Sequence, residues 1–298
     1  MQNRDPFSSY HPVVNFLFFA LVLGCTMFFM HPVSLCISLV GALSYGIYLK
    51  GWKMVRFSLL YLLPMMGMAA ILNPAFNHAG VTILTYLPSG NPLTLESIAY
   101  GIGAAGMLAA VILWFSCYTE VMTSDKFVYL FGRIIPAFSL ILSMTLRFVP
   151  KYQAQFRMVR EAQKCVGRDM TDGNILSRMK HMMTIFSIMV TWALENAIET
   201  ADSMKSRGYG LKGRTAFSIY RFDGRDKMAL LWLLFCGSSI GVGAVMGWME
   251  WQYFPMMQGV KMTPLTIGFQ LVYLALCFTP VFLNRREDRK WKSLQYEI

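Results

Sequence analysis

The sequence predicts an all-α integral membrane protein with about six transmembrane helices and long cytosolic helices inserted between the fourth and fifth. Three observations point there. Only 14% of the 298 residues are charged while 55% are hydrophobic, with a mean hydropathy of +0.45, far from the charged fraction of about 25% found in soluble domains. Six apolar runs approach the roughly 20 residues that a helix needs to cross about 30 Å of hydrocarbon. The basic residues are also sorted to one side.

The runs fall near residues 13–30, 33–49, 55–72, 94–117, 228–248 and 264–283. The first is expected to be an uncleaved helix rather than a signal peptide, because no small-residue cleavage site follows it. Only "MHP", Met30 to Pro32, separates the first two runs, and a tight or partly re-entrant hairpin fits there. Between residues 73 and 93 no side chain is ionised, and a β-branched run leads to a "PSGNP" turn signal, so an external β-hairpin is expected. Trp248, Trp251 and Tyr253 suit an aromatic belt at the outer boundary. With the N-terminus inside, 26 of the 27 Lys and Arg residues lie on the inner side and only Lys261 lies outside, as the positive-inside rule requires. Both termini are therefore expected in the cytoplasm of a bacterial-type cell membrane. A net charge of +11 then reports orientation and lipid headgroups, with no nucleic-acid partner implied.

This reading gives three regions: residues 1–120 with four spans, a cytosolic region 121–227, and a C-terminal hairpin with a basic tail, 228–298. About 110 residues between spans four and five exceed what a connection needs. Within them "IIPAFSLILSMTL", Ile134 to Leu146, is too short to cross and is expected at the interface or beneath the bundle, its helix starting at Pro136. After "RFVP" comes a basic face: Arg157, Arg160, Lys164 and Arg168 are spaced by three, four and four, which places all four on one side of a helix. A solvated or lipid-facing stripe and a face for an acidic partner both fit this pattern. A second long helix is expected from about Asn174, with Met179, Met182, Phe186, Met189, Ala193, Ala197 and Ala201 forming an apolar stripe. Core packing and an adaptable docking surface are the two readings of that stripe.

The helix ends in "SMKSRGYGLKGRT", residues 203–215. Gly208, Gly210 and Gly213 spell GxGxxG, and Gly208 to Thr215 nearly spell a P-loop. Both patterns require a strand before the glycines and a helix after them; here a helix precedes them. Gly208 is better read as the left-handed residue that stops the helix, leaving Arg207 displayed with a rigid fork of donors for carboxylates.

At these residues the chain resembles a known family. "ADSMKSRGYG", with "TLRFVP", "REAQKCVG" and "GRTAFSIYRFDGRD" around it, is similar to the coupling region of the T component of energy-coupling factor (ECF) transporters, the EcfT/CbiQ family. The resemblance covers about Leu146 to Asp226. It implies a non-catalytic membrane scaffold that joins two cytosolic ABC ATPase subunits to a substrate-binding S component for vitamin or metal-ion uptake, with ATP bound by the ATPases and no cofactor on this chain. It also implies that Ser206, Arg207 and Gly208 form one ATPase-coupling motif and Cys165, Val166 and Gly167 the other. The second of these departs from the family's pattern of small residue, Arg and Gly. Unequal ATPase contacts are expected, with Arg168 taking part of the missing role, and the stripe from Met179 to Ala201 would face the S component.

Two other classes fit less well. A secondary transporter or channel with a regulatory insert would place ionisable residues within its spans, and those spans are nearly free of them. A membrane enzyme needs converging acids, bases or metal ligands. The four histidines and six cysteines are dispersed without metal-ligand spacing, and Glu195 and Glu199 read as a polar helix face. The cysteines are expected to be buried free thiols.

Overall fold

The computed structural model describes residues 5–86, 92–132, 135–169, 174–209, 211, 220–259 and 263–296. The chain forms two compact units: Met1–Lys126 with Tyr220–Ile298, and Phe127–Ile219.

In the first unit a 3-10 turn, Pro6–Ser9, leads into α1, Pro12–Phe28, and a three-residue link leads into α2, Pro32–Lys50. Both helices start the same way. "HPV" occurs at His11 and again at His31; each Pro takes the first helical position, where no N–H is needed, and each imidazole Nδ1 accepts the N–H of the residue two ahead, Val13 at 3.3 Å and Val33 at 3.2 Å. The link between α1 and α2 is thus two ordinary helix ends rather than a re-entrant segment. Next, α3 (Trp52–Phe57), a π-helical turn (Ser58–Leu62) and α4 (Leu63–Phe76) run on as one helix, followed by strands β1 (Ile83–Tyr86) and β2 (Pro92–Thr94), which pair antiparallel. The expected hairpin exists, although its "PSGNP" turn falls mostly outside the described residues. The unit continues with α5, Leu95–Val121, and the start of α6, Ser124–Gly132. The chain returns as α9, Gly224–Val245, a short β3–β4 hairpin (Trp251–Gln252 with Gln258–Gly259), and α10, Pro264–Tyr296.

Among the described residues five helices are long and apolar enough to cross a membrane; α1, with 17 residues, is shorter. The sequence reading of about six spans therefore becomes five of full length plus α1. Their core is aromatic: Phe18, Phe19, Tyr45, Trp114 and Tyr273 are completely buried, and Trp114 stacks edge-on to Phe18 at 5.8 Å. With few hydrophobic gains available between helices in lipid, close backbone approach and internal hydrogen bonds hold them. A Cβ on Gly41 would lie only 3.0 Å from that of Cys277. Trp114 Nε1 donates to Ser38 Oγ at 3.0 Å, Ser38 shares a hydrogen bond with Thr26 at 2.7 Å, and Thr26 another with the Tyr273 hydroxyl at 3.1 Å. Cys117, Cys236 and Cys277 are buried, whereas Cys25 is half-buried and Cys36 and Cys165 are exposed, which corrects the expectation for these last three: α1 and α2 turn part of their apolar surface outward, and Cys165 sits at an exposed helix end.

The second unit contains α7, Pro136–Cys165, and α8, Ile175–Ser206. The short apolar run and the basic face are one helix, which passes through Pro150. The two helices meet where Lys151 Nζ donates to Asn196 Oδ1 at 2.6 Å and lies 5.4 Å from the Trp192 ring, with Tyr152 edge-on to that indole. Ile185 is the single buried apolar residue of α8.

Candidate functional site

The two long helices of the second unit end in the same way. At the end of α8, Gly208 adopts φ +75°, its N–H returns to Lys205 O at 3.0 Å, and the Tyr209 N–H returns to Met204 O at 3.1 Å. At the end of α7, Gly167 adopts φ +76°, its N–H returns to Lys164 O at 3.0 Å, and the Arg168 N–H returns to Gln163 O at 2.9 Å. Each is a Schellman cap, which satisfies the last carbonyls through a left-handed residue that only Gly adopts without penalty. The correspondence extends to the preceding residue: Arg207 (φ −84°, ψ 6°) and Val166 (φ −87°, ψ 8°) have almost the same backbone conformation. A third such cap, at Gly247 after α9, shows that the cap by itself carries no function.

Arg207 is exposed and, among the described residues, pairs with no carboxylate; Ser206 beside it is also exposed, its hydroxyl donating to Ser203 O at 2.8 Å. At the other end Cys165 is exposed and Val166 is 69% exposed. Arg168 is displaced from the expected face. The helix stops at Cys165, and the left-handed turn at Gly167 takes the chain off the helical path before Arg168. Spacing arithmetic carried it one turn too far. Arg168 thus occupies the position of Tyr209, not that of Arg207. Arg157, Arg160 and Lys164 do lie exposed on α7, with Lys164 3.5 Å from Asp169.

Counting from the crossing at Lys151 and Asn196, at about 1.5 Å per residue each helix projects its capped end roughly 15–20 Å beyond the contact. Of the apolar stripe, Met179, Met182, Phe186, Ala197 and Ala201 are exposed, and Met189 and Ala193 are half-buried. The face that meets α7 carries Trp192 and Asn196 instead. The stripe therefore lies beside the face that packs inside its own unit. Of the GxGxxG glycines, Gly210 and Gly213 fall outside the described residues.

A second set of residues escaped the sequence reading: a buried polar knot where the chain leaves and rejoins the membrane unit. Asp5 accepts hydrogen bonds from the Tyr45 hydroxyl at 2.8 Å and from Asn284 Nδ2 at 2.5 Å, and Asn284 Oδ1 accepts the Phe7 N–H at 3.0 Å. Lys126 donates to Ser8 O at 2.5 Å and to Val121 O at 2.8 Å. With the Asn15 amide oriented so that both of its atoms are satisfied, its oxygen accepts from Lys126 at 3.2 Å. Asp226 accepts the His11 N–H at 3.1 Å and the Asp223 N–H at 3.1 Å. Burial pushes the Asp5 carboxyl above the usual carboxylate range against the pull of its hydrogen bonds. Burial also lowers Lys126 to about 8, partly opposed by the Asp5 charge. The segment Asp5–His11 is thus a strap bonded both to Lys126, the last residue before the second unit, and to Asp226, shortly after it. The duplicated "HPV" was the one local signal for its end; nothing local marks residues 5, 126 and 226 as neighbours.

Apolar helices of spanning length, interrupted by a separate unit that displays two equivalently capped helix ends, define a multi-pass membrane protein. Residues 6–217 match the family described as cobalt transport protein, CbiQ, and the chain belongs to it. Among curated relatives, it is 35% identical over 92 residues to the energy-coupling factor transporter transmembrane protein EcfT 1 of Listeria monocytogenes, covering 30% of this chain and 35% of that protein. It is 33% identical over 93 residues to the EcfT of Lactococcus lactis, covering 31% and 35%, and 26% identical over 162 residues to the uncharacterized protein MG181 homolog of Mycoplasma pneumoniae, covering 50% and 37%. The chain spans little more than a third of the length of these relatives.

Proposed function

We propose that this chain is the T component of an ECF-type ABC importer. It is a scaffold that receives two cytosolic ATPases on its capped helix ends and transmits their closure to a membrane S component, which releases a vitamin or metal ion. The observation that carries the reading is the pair of caps with matching backbone conformation, one displaying an Arg207 that pairs with no carboxylate among the described residues, in a chain of the CbiQ family. A guanidinium on a carboxylate of a partner contributes about 1.5–3 kcal/mol, enough to hold a lever end in a groove. ATP is bound by the partners, and this chain performs no catalysis and holds no cofactor. Both termini and the second unit lie on the cytoplasmic side. The exposed stripe Met179–Ala201 is the surface offered to the S component, where methionines suit a sliding contact. The two ATPase contacts are unequal: Arg207 makes a charged one, Val166 an apolar one, with Arg168 supplying charge from a neighbouring position.

The test is affinity purification from the native membrane followed by ATP-driven uptake in vesicles. Two ATPase polypeptides and an S component co-elute with the wild type; Arg207→Glu loses ATPase and abolishes uptake without changing the melting temperature. Intact uptake in Arg207→Glu, or ATP hydrolysis by the chain purified alone, overturns the reading.

A further inference from the structure

An apolar groove of about 650 Å³ runs between α9 and α10, with the N-terminal strap as its floor. Its walls come from Trp232 and Leu233 on one side and Phe278 and Phe282 on the other, with Phe7 and Tyr10 beneath. The volume lies within the roughly 300–1,000 Å³ of small-molecule sites. Its polar capacity is nearly used up internally: Trp232 Nε1 donates to Thr279 Oγ1 at 3.2 Å, and the Thr279 hydroxyl donates to Ala275 O at 2.8 Å. Hydrocarbon is therefore what the deep part accepts.

The rim is different. Arg225 and Arg286 stand there with one lining carboxylate, Glu287, while the neighbouring Asp226 is taken up by the His11 and Asp223 N–H groups, leaving two guanidiniums at one end of an otherwise apolar slot. Arg225 is held in place, its guanidinium carbon 4.4 Å from the centre of the Tyr10 ring and Nη2 3.5 Å from Ser9 Oγ. Arg286 is exposed. At about 1.5 Å per residue, Arg225 to Leu233 extends about 12 Å along α9, the reach of the upper half of an acyl chain. An amphipathic ligand with an anionic head and a hydrocarbon tail matches both parts, and a free phosphate matches only the rim.

From this charge and polarity pattern we infer that the α9–α10 groove is a binding site for one anionic glycerophospholipid. Its phosphate sits between Arg225 and Arg286 and one acyl chain lies along Trp232 and Phe278. Because Phe7 and Tyr10 form the floor, the lipid also braces the strap that is bonded to Lys126 and Asp226. This inference rests on the membrane fold alone and stands or falls independently of the ATPase assignment.

The experiment uses the full chain in nanodiscs of phosphatidylcholine with or without phosphatidylglycerol, read by native mass spectrometry and by thermal unfolding. One phosphatidylglycerol is expected to be retained and to raise Tm above that in phosphatidylcholine alone. Arg286→Gln, whose side chain makes no other hydrogen bond or ion pair among the described residues, weakens retention about tenfold, the equivalent of one charge-assisted hydrogen bond. Arg225→Gln with Arg286→Gln erases the difference between the two lipids, and Ala275→Trp, which fills the groove, reduces retention with both arginines present. Equal retention and Tm in the two lipids, or discrimination that survives the double substitution, overturns the site. So does a partner protein crosslinked through position 232 in the presence of phosphatidylglycerol.

Discussion

The membrane unit and the second unit treat ionised side chains in opposite ways. In the first, Asp5, Lys126 and Asp226 are buried and each is bonded to backbone or side-chain partners. In the second, Arg157, Arg160, Arg168 and Arg207 are exposed and pair with no carboxylate among the described residues. A buried ion without partners costs several kcal/mol, so the knot persists only because its groups are satisfied. An exposed guanidinium costs little and stays available. The knot uses its charges to hold the chain together, whereas these four arginines stay exposed.

The largest expected effect breaks that contrast if it is wrong. Lys126→Met leaves Ser8 O, Val121 O and the Asn15 amide buried without their donor. A loss of about 3 kcal/mol is expected, the order set by buried acceptors left unsatisfied. Arg207→Ala, which removes an exposed and unpaired group, should shift stability by less than about 0.5 kcal/mol. Thermal unfolding of the two variants in the same detergent measures both. Similar shifts would erase the distinction between the units.

A smaller, pH-dependent effect sharpens it. Lys126 is lowered from 10.5 to about 8 in the folded chain, so between those values the unfolded state binds more protons than the folded one. Stability should then rise with pH across that window, and below pH 8 the cost of the buried ammonium is constant. Asp5 works in the opposite sense at acid pH. Its carboxyl is raised above 3.8, so the folded state holds its proton longer and stability falls as pH rises through that interval. Unfolding of wild type against Lys126→Met at pH 7.5 and pH 10 isolates the lysine: the rise should vanish in the variant. An unchanged slope would mean that Lys126 keeps an ordinary ammonium.

The contrast also explains which features could be read from the sequence. Spans, the 83–94 hairpin and the stop at Gly208 depend on local composition and turn chemistry, and local patterns reported them. The apolar stripe of α8 was legible as a stripe, but its neighbour was not, since periodicity states that a face is apolar and not what covers it. Arg168 was misplaced because a helical spacing carries no mark of where the helix stops; Gly167 was that mark, two residues past Cys165 just as Gly208 is two past Ser206. The Asp5, Lys126 and Asp226 knot was invisible because its members are separated by a hundred residues or more, and the positive-inside count treated Lys126 as one charge among many.

The smallest effect concerns the two caps themselves. Val166 and Arg207 share backbone conformation, so Val166→Arg places a guanidinium at the first end without disturbing the cap, and Tm should stay within about 1 °C. Under the proposed function, this change would strengthen ATPase association if the two ends met identical acidic grooves. The apolar, 69% exposed Val166 suits a different groove, and an added charge there must be desolvated against apolar surface. Association should instead fall about fivefold, equivalent to about 1 kcal/mol, well short of the loss caused by Arg207→Glu. Titrating the purified ATPases onto the two variants measures the order. A gain in Val166→Arg would show that the ends are equivalent in what they bind, and the asymmetry would then belong to this chain alone and not to its partners.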